Sequence, residues 1–276
     1  MFQGGRRYLP EKDICINKCC EPDTCFHGGL CREICDPNTV RFNCTCPQDY
    51  TGRRCEKPFY PRSCQDIWKN GVLISAKYRV YDTQDQPFLV YCDFESETEF
   101  VWSLIQSFSL ENRDQFKKVF SIDYPVDEVS LEVDWSSHRL SLSHMQHLAV
   151  SSTHMRVTCN IHSQGFSYTD YARADLQSHD LFNSWWRLCK TYEYLNIRGI
   201  ECHDCTAATN NRNGSCWLIS SYKSFTNYGC DFDGRPGTGN TEYNFGNYKK
   251  LNPEHRCSSA PSSTTQHWFG IKKDDV

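Results

Sequence analysis

Eighteen cysteines in 276 residues constrain this chain more than any other feature of its sequence. Nine of them fall between Cys15 and Cys55, a segment of about forty residues that is too short to build a core unaided. Disulfide bonds commonly stabilise such segments, and they form in oxidising compartments. A cytosolic protein with several zinc sites is the alternative, but the repeated Cys-x-x-Cys knuckles of such proteins do not occur here. The cysteines therefore predict a secreted, extracellular protein.

Six of these nine cysteines follow a familiar spacing, with glycines at the turns where a side chain would clash or a positive φ is needed. The phrases are Cys20-x4-Cys25-Phe-His-Gly-Gly-Leu-Cys31, Cys44-Thr-Cys46, and Tyr50-Thr51-Gly52 ahead of Cys55. The segment resembles an EGF-like module, which we expect over residues 15–56 after a flexible lead-in of residues 1–14. The pairing of that family implies the disulfides Cys20–Cys31, Cys25–Cys44 and Cys46–Cys55.

Three further cysteines, Cys15, Cys19 and Cys35, depart from the family pattern. We expect Cys35 to pair with Cys15 or Cys19, and Cys19 could replace its neighbour Cys20 as the first cysteine of the module. Calcium-binding EGF-like modules carry Asn or Asp where this chain has Pro37. The module is therefore predicted to act as a rigid disulfide-bonded spacer.

A second region with recognisable phrases follows a short linker, residues 57–61, which contains Pro58 and Pro61. The phrases are Ser63-Cys64-Gln65-Asp66-Ile67, Gly71 with Tyr78, Val90-Tyr91-Cys92-Asp93, and Trp102 through Gln106. They resemble the opening of a fibrinogen C-terminal-like domain, which implies a Cys64–Cys92 disulfide. We expect this domain over residues 62–272, with divergence from the family after about residue 106.

The apolar pattern of the remainder of the chain predicts further strands. Alternation predicts half-buried strands at 129–135 and 155–161, and further strands are expected at 195–200 and 216–219. Residues 171–188 could hold a short helix or a packed loop. Residues 210–250 are rich in Asn, Gly, Ser and Tyr, which indicates long ordered loops rather than a core. The predicted fold is a small disulfide-rich EGF-like module followed by a divergent α+β fibrinogen C-terminal-like domain, β-rich with long loops.

Two phrases in this remainder are unusual. They read Asn196-Ile197-Arg198-Gly199-Ile200-Glu201-Cys202-His203-Asp204-Cys205 and Cys230-Asp231-Phe232-Asp233-Gly234. They resemble secreted cnidarian proteins that combine EGF-like and fibrinogen-like parts, some of which occur in the organic matrix of coral skeletons. That resemblance implies an extracellular setting and no particular chemistry.

Three groups of residues could bind a metal or react. Cys202 and Cys205 form a Cys-x-x-Cys pair, which we interpret as two structural disulfides to different partners rather than a redox pair or half a zinc site. Asp231 and Asp233 offer oxygen ligands for calcium on a glycine-containing loop, although Arg235 stands where a third acidic ligand would fall. The histidines at 138, 144, 147 and 154 are expected to be ordinary surface residues.

The sequence contains no motif of a known catalytic centre: it lacks His-Glu-x-x-His, Gly-x-Ser-x-Gly, a phosphate loop and a dinucleotide fingerprint. We therefore predict a non-enzyme with no catalytic residue and no cofactor other than possible calcium. The formal net charge of −4 indicates no basic surface for nucleic acid, and no apolar run approaches the roughly 20 residues of a membrane span. Asn43 and Asn213 stand in glycosylation sequons, which predicts a glycoprotein.

The predicted function is that of an extracellular matrix or adhesion protein that binds extracellular proteins, matrix or glycans, of the kind found in biomineral organic matrix. The alternative is a lectin-like protein, since fibrinogen-like domains often bind acetylated sugars beside a calcium site. A calcium-dependent glycan array separates the two functions.

Cysteine parity generates a first testable prediction. Nine cysteines lie at or before Cys55 and nine at or after Cys64, so complete pairing requires a bridge between the two regions. Without that bridge, at least one thiol on each side is free or bonds another chain. Peptide mapping under non-reducing conditions measures this. Free thiols at several cysteines between Cys15 and Cys55 would contradict the secreted, disulfide-bonded interpretation.

Overall fold

The computed structural model describes residues 20–36, 39–47, 49–212, 216–222, 229–235, 242–248 and 250–275. The expectations for Cys15, Cys19, Pro37 and Asn213 fall outside these residues. The chain divides into two compact units, Met1–Tyr60 and Pro61–Val276.

Within residues 20–36, 39–47 and 49–60, the first unit forms two small antiparallel hairpins. Strand β1 (Leu30–Asp36) pairs with β2 (Thr39–Thr45), and β3 (Tyr50–Thr51) pairs with β4 (Lys57–Pro58). Lys57 and Pro58 were expected in the linker, but they form the second strand of the smaller hairpin. Disulfides supply most of the cross-linking, and a Cβ atom at Gly29 would lie only 2.7 Å from the Sγ of Cys55. That close approach explains the glycine.

The second unit begins with helix α1 (Cys64–Lys69). The side chain of Ser63 caps this helix by accepting a hydrogen bond from the backbone N–H of Asp66. A disulfide joins Cys64, at the first position of the helix, to Cys92. The start of the helix is therefore held against the sheet.

One antiparallel sheet dominates the second unit. Its strands run in the order β14-β13-β12-β11-β10-β9-β15-β7-β6-β5, and β8 pairs with β7. Strand β15, at the end of the chain, lies between β9 and β7. The strands are β5 (Ala76–Tyr81), β6 (Pro87–Asp93), β7 (Phe100–Ser109), β8 (Ser137–Arg139), β9 (His154–Cys159), β10 (Tyr171–Asp175), β11 (Trp185–Ile197), β12 (Ile200–Arg212), β13 (Cys216–Ser220), β14 (Tyr243–Asn244) and β15 (Thr264–Lys272). The helices are α2 (Leu142–Val150) and α3 (Ile161–Gln164).

Strand β7 is buried along its whole length, because both faces of the sheet are covered there. Alternate residues of a strand point to opposite faces. Val101 and Ile105 join the main core, whereas Phe100, Trp102 and Leu104 form a second apolar cluster with Trp268.

Arg156 of β9 lies in this second cluster and is fully buried. Its guanidinium carbon is 4.6 Å from the ring centroids of both Trp102 and Trp268. It donates hydrogen bonds to Asp93 at 2.5 Å and to Glu97 at 2.8 Å. A buried charge is tolerated only when it is paired and hydrogen-bonded, and both conditions are met here.

The strand predicted at 129–135 is wrong. Residues 129–135 form no strand, and Val129 and Leu131 are exposed. Lys77 holds this segment as a loop by donating hydrogen bonds to the carbonyl oxygens of Ser130 and Glu132. Alternation of apolar residues predicts a strand only where one face can be buried, and that condition fails here.

Two other expectations also need correction. Residues 171–188 contain β10 and the start of β11, joined by a packed loop in which Leu181 is buried, and they form no helix. Residues 210–250 contribute to the core as well as to loops, because Phe232, Phe245 and Tyr248 are buried. A single buried aromatic side chain can fix a polar, glycine-rich segment to the core, and the overall composition of the segment does not reveal this.

The histidines at 138, 144, 147 and 154 differ in burial and in their contacts. His138 and His154 are buried, contrary to expectation. His144 and His147 lie on α2, where the ring of His144 stacks on Phe88 with centroids 3.9 Å apart and its Nδ1 contacts Glu128.

Replacing Arg156 by methionine tests the buried ion pairs. R156M keeps much of the side-chain volume but leaves the buried carboxylate of Asp93 without a cation and Glu97 with Arg173 alone, so we expect a loss of about 3–5 kcal/mol in the free energy of unfolding. Urea denaturation followed by tryptophan fluorescence measures the loss. The control R79M, at an exposed arginine of β5, is expected to change stability by less than about 0.5 kcal/mol. Equal losses in the two variants would contradict this role of Arg156.

Candidate binding site

A cleft of about 500 Å³ opens on the face of the sheet that carries Arg156. Tyr91 and Asp93 come from β6, Trp268 from β15, Trp135 from the loop before β8, and His162 from α3. We call it the aromatic cleft. Its lining residues are Ser75, Tyr91, Asp93, Glu95, Ser96, Trp135, Ile161, His162, Phe166 and Trp268.

The register of the sheet explains why these residues meet. Asp93 pairs with Trp102 across β6 and β7, and Trp268 pairs with Arg156 across β15 and β9. Gly270 lies opposite Trp102, where a Cβ atom would approach the indole to 2.2 Å. The glycine therefore leaves room for the indole of Trp102 between the strands.

The apolar part of the cleft is a set of rings in contact. Trp135 stacks on His162 with centroids 5.2 Å apart and an interplanar angle of 5°. Tyr91 meets Trp135 edge-on at 5.1 Å, and Trp268 lies 6.4 Å from Trp135. The indole N–H of Trp268 donates to the hydroxyl of Thr158 at 3.0 Å, which fixes that ring. Such contacts hold the rings in place before any ligand arrives.

Asp93 organises the polar end of the cleft. Its Oδ1 accepts hydrogen bonds from the hydroxyl of Ser75 and from the backbone N–H groups of Glu95 and Ser96. Its Oδ2 accepts from Arg156 and from the hydroxyl of Ser96. Burial would raise the pKa of Asp93, but the charge of Arg156 and the hydrogen bonds from Ser96 outweigh it and lower that pKa to about 2. The carboxylate is ionised, and both of its oxygens accept hydrogen bonds from protein groups.

Glu95 and Tyr91 flank Asp93. Glu95 is exposed, and its Oε2 accepts a hydrogen bond from the backbone N–H of Ser75 at 2.9 Å. The hydrogen bonds from Ser75 lower the pKa of Glu95, so the side chain is ionised at neutral pH. Burial, reinforced by the charges of Asp93 and Glu95, raises the pKa of Tyr91 to about 12, so its hydroxyl stays protonated.

A second, smaller cavity of about 380 Å³ is lined by Glu99, Tyr168, Arg173, Tyr194, Glu201 and His203. Tyr194 donates to Glu201 at 2.9 Å. Arg173 is tied to Glu97 and Glu193, each at 3.0 Å. Arg173 and Glu201 are already paired with protein partners, which makes this cavity a weaker candidate than the aromatic cleft.

The structure contains the four disulfides that the family resemblances imply. They are Cys20–Cys31, Cys25–Cys44, Cys46–Cys55 and Cys64–Cys92. Three further bonds, Cys159–Cys257, Cys189–Cys230 and Cys202–Cys205, were not foreseen. The interpretation of Cys202 and Cys205 as partners of two different cysteines is wrong. Asp204, between them, has a φ of 45°, which bends β12 so that the two side chains can meet.

Both predicted metal ligands have protein partners. Asp231 accepts hydrogen bonds from the backbone N–H and hydroxyl of Thr206, and Asp233 pairs with Arg235 at 2.9 Å. A calcium site at these two residues remains a prediction, and the adjacent arginine opposes it. Cys159, Cys257 and His255 do lie together, but the two sulfurs are bonded to each other and offer no thiolate.

Of the two sequons, only Asn43 lies in the described part of the chain. It is exposed on β2. Its neighbour Cys44 is held in the disulfide with Cys25. Glycosylation at Asn43 and at Asn213 remains a prediction.

Comparison with known proteins bears on the second unit. Residues 60–178 match the family described as "Fibrinogen beta and gamma chains, C-terminal globular domain". This stretch of the chain is similar to a fibrinogen C-terminal domain. The match extends to residue 178, past the quoted phrases that end at Gln106, and it includes every lining residue of the aromatic cleft except Trp268.

Two curated proteins are similar to short stretches. One stretch of 46 residues, 15% of this chain, is 46% identical to the protein eyes shut homolog of Macaca fascicularis and covers 2% of it. Another of 33 residues, 12% of this chain, is 48% identical to Toxin Bcs III 15.09 of Bunodosoma caissarum and covers 69% of it. The chain thus spans a very small part of the first relative and about two thirds of the second.

The fibrinogen C-terminal domain and the many disulfides fit an extracellular protein. None of the helices in the described residues has the length and apolarity that a membrane-spanning helix requires.

The low pKa of Asp93 generates a prediction about acid stability. Because this pKa, about 2, lies below the value near 3.9 of an unfolded chain, the carboxylate stabilises the fold above about pH 4. That contribution, on the order of 2 kcal/mol, is lost as the pH falls from about 4 to about 2. Urea unfolding at several pH values measures it. The variant D93N should be less stable at pH 7 and should lose less stability over this interval. An equal acid loss in D93N and the unaltered protein would contradict the assignment.

Proposed function

We propose that the protein is a non-enzymatic extracellular adhesion protein, and that its fibrinogen C-terminal domain recognises a matrix component in the aromatic cleft. Domains of this family bind extracellular ligands and are generally non-enzymatic. The observation that carries the proposal is the cleft itself, a preformed concave site of about 500 Å³ with rings on its walls and acidic and hydroxyl groups at one end. Sites with this composition are typical of ligand recognition.

The ionisation of Asp93 and Tyr91 supports binding rather than catalysis. A general base is most effective when its pKa lies near the working pH. The pKa of Asp93 is about 2 and that of Tyr91 about 12, so neither group exchanges protons readily at neutral pH. Both are suited to hold a fixed charge or a fixed hydroxyl against a ligand.

The finer parts of the proposal concern the first unit and the matrix. We infer an EGF-like module over residues 15–56 that acts as a spacer, and the order of its disulfides supports this. A role in biomineral organic matrix rests on the resemblance of 196–205 and 230–234 to cnidarian skeletal proteins. The lectin-like alternative requires calcium near Asp231 and Asp233, where both carboxylates already have protein partners.

Retention of the full chain on decellularised extracellular matrix tests the proposal. We expect W135L to weaken retention about tenfold, because a central aromatic side chain commonly contributes a kcal/mol or more to binding. The matched control is W186L, at an exposed tryptophan that does not line the aromatic cleft and should leave retention unchanged.

The same assay has two outcomes that contradict the proposal. Equal retention of W135L and the unaltered protein would remove the cleft from adhesion. Retention that EDTA abolishes, together with calcium-dependent signals for acetylated sugars on a glycan array, would favour the lectin-like alternative. Circular dichroism verifies that W135L and W186L are folded.

A further inference from the structure

The aromatic cleft carries negative charge. Its charged lining residues at neutral pH are the acids Asp93 and Glu95, since burial lowers the pKa of His162 and favours its neutral imidazole. Asp93 is neutralised by Arg156. In the described part of the chain, no basic side chain pairs with Glu95, whose hydrogen bonds come from Ser75. The cleft therefore presents one uncompensated negative charge.

The two lysines nearest in the fold form no ion pair with Glu95, because each donates its hydrogen bonds to backbone carbonyl oxygens. Lys77 donates to the carbonyl oxygens of Ser130 and Glu132. Lys273 donates to the carbonyl oxygen of Phe94 at 2.9 Å. Both amines are fixed by the backbone.

The rings of the cleft add a second preference for positive charge. The π face of an aromatic ring is electron-rich and attracts ammonium and guanidinium groups, most strongly when the ring is an indole. Arg156 shows this within the protein, since its guanidinium lies between the indoles of Trp102 and Trp268 with carboxylates beside it. Trp135, Tyr91 and Glu95 offer the same combination of groups in the open part of the cleft.

The segments leading into the cleft expose aliphatic side chains. Ile74, directly before Ser75, is 71% exposed, and Leu73 is 63% exposed. Val129 and Leu131, on the loop that continues to Trp135, are 87% and 82% exposed. The hydrogen bonds from Lys77 tie this loop to the strand that follows Ser75. Clustered exposed apolar side chains of this kind mark contact with another macromolecule rather than with a small ion.

We propose that the aromatic cleft receives the ammonium group of a lysine side chain on a partner protein. The ammonium lies beside Glu95 and the ring of Trp135, the aliphatic stem of the lysine contacts Tyr91, and the partner surface covers the exposed aliphatic residues. This rests on the proposed function, because it names the chemical group by which the matrix component is recognised. Charge complementarity favours this occupant over an acidic or neutral peptide.

Titration of the full chain with two short peptides tests the proposal. The peptides are Gly-Gly-Lys-Gly-Gly and its norleucine analogue, both blocked at the termini, and binding is followed by quenching of tryptophan fluorescence. We expect the lysine peptide to bind at least about tenfold more tightly, since the analogue keeps most of the stem and lacks the charge. E95Q should remove most of this preference, and higher salt should weaken binding of the lysine peptide.

E111Q is the matched control, because Glu111 is exposed on the same unit and does not line the cleft. It should bind the lysine peptide as the unaltered protein does. Equal affinity for the two peptides, or equal loss in E95Q and E111Q, overturns the proposal. Binding of phosphatidylcholine vesicles without binding of the lysine peptide also overturns it, because the occupant would then be a lipid headgroup.

The matrix assay separates this proposal from the proposed function. If W135L loses retention while the lysine peptide does not bind, the ammonium assignment is wrong and adhesion through the cleft stands. If the lysine peptide binds in a Glu95-dependent manner while W135L retains full adhesion, the site stands and adhesion through it is wrong.

Discussion

The buried guanidinium of Arg156 is the interaction on which the second unit most depends. Removing a charge from water costs several kcal/mol, and only close partners offset that cost. Asp93 and Glu97 supply the opposite charge, while the indoles of Trp102 and Trp268 supply electron-rich surfaces. These partners come from β6, the turn after it, β7 and β15, so one side chain ties the beginning of the domain to its end.

The aromatic cleft is a consequence of the same interaction. Asp93 gives one oxygen to Arg156 and the other to Ser75 and backbone N–H groups, and this sets the path of the chain through Glu95. Trp268 contacts Arg156 and also lines the cleft. The site therefore owes its rigidity to a buried charge network rather than to packing alone. A ligand meets rings and a carboxylate that are already positioned, which lowers the ordering cost of binding.

Local parts of the domain could be predicted from sequence. The phrases Val90-Tyr91-Cys92-Asp93 and Trp102 through Gln106 lie in β6 and β7, and the strand predicted at 155–161 is β9 as far as Cys159, after which α3 begins at Ile161. These strands are buried over most of their length, so their composition reports their environment directly. Prediction failed at 129–135, where alternation without a covering layer leaves Val129 and Leu131 in a loop, and at Cys202, where a local bend makes Cys205 the partner. Neither covering layers nor backbone bends are encoded in a short pattern.

By itself, the sequence determined that the chain is rich in cysteines and that its second part opens like a fibrinogen C-terminal domain, because cysteine spacing and strand composition are local properties. The tertiary structure alone decided the aromatic cleft. Tyr91, Trp135 and Trp268 are far apart in the chain, and they meet because β15 inserts between β9 and β7 in a register that places Trp268 opposite Arg156. Pairing between distant strands depends on the whole sheet, since a shift of one residue would turn Trp268 to the other face.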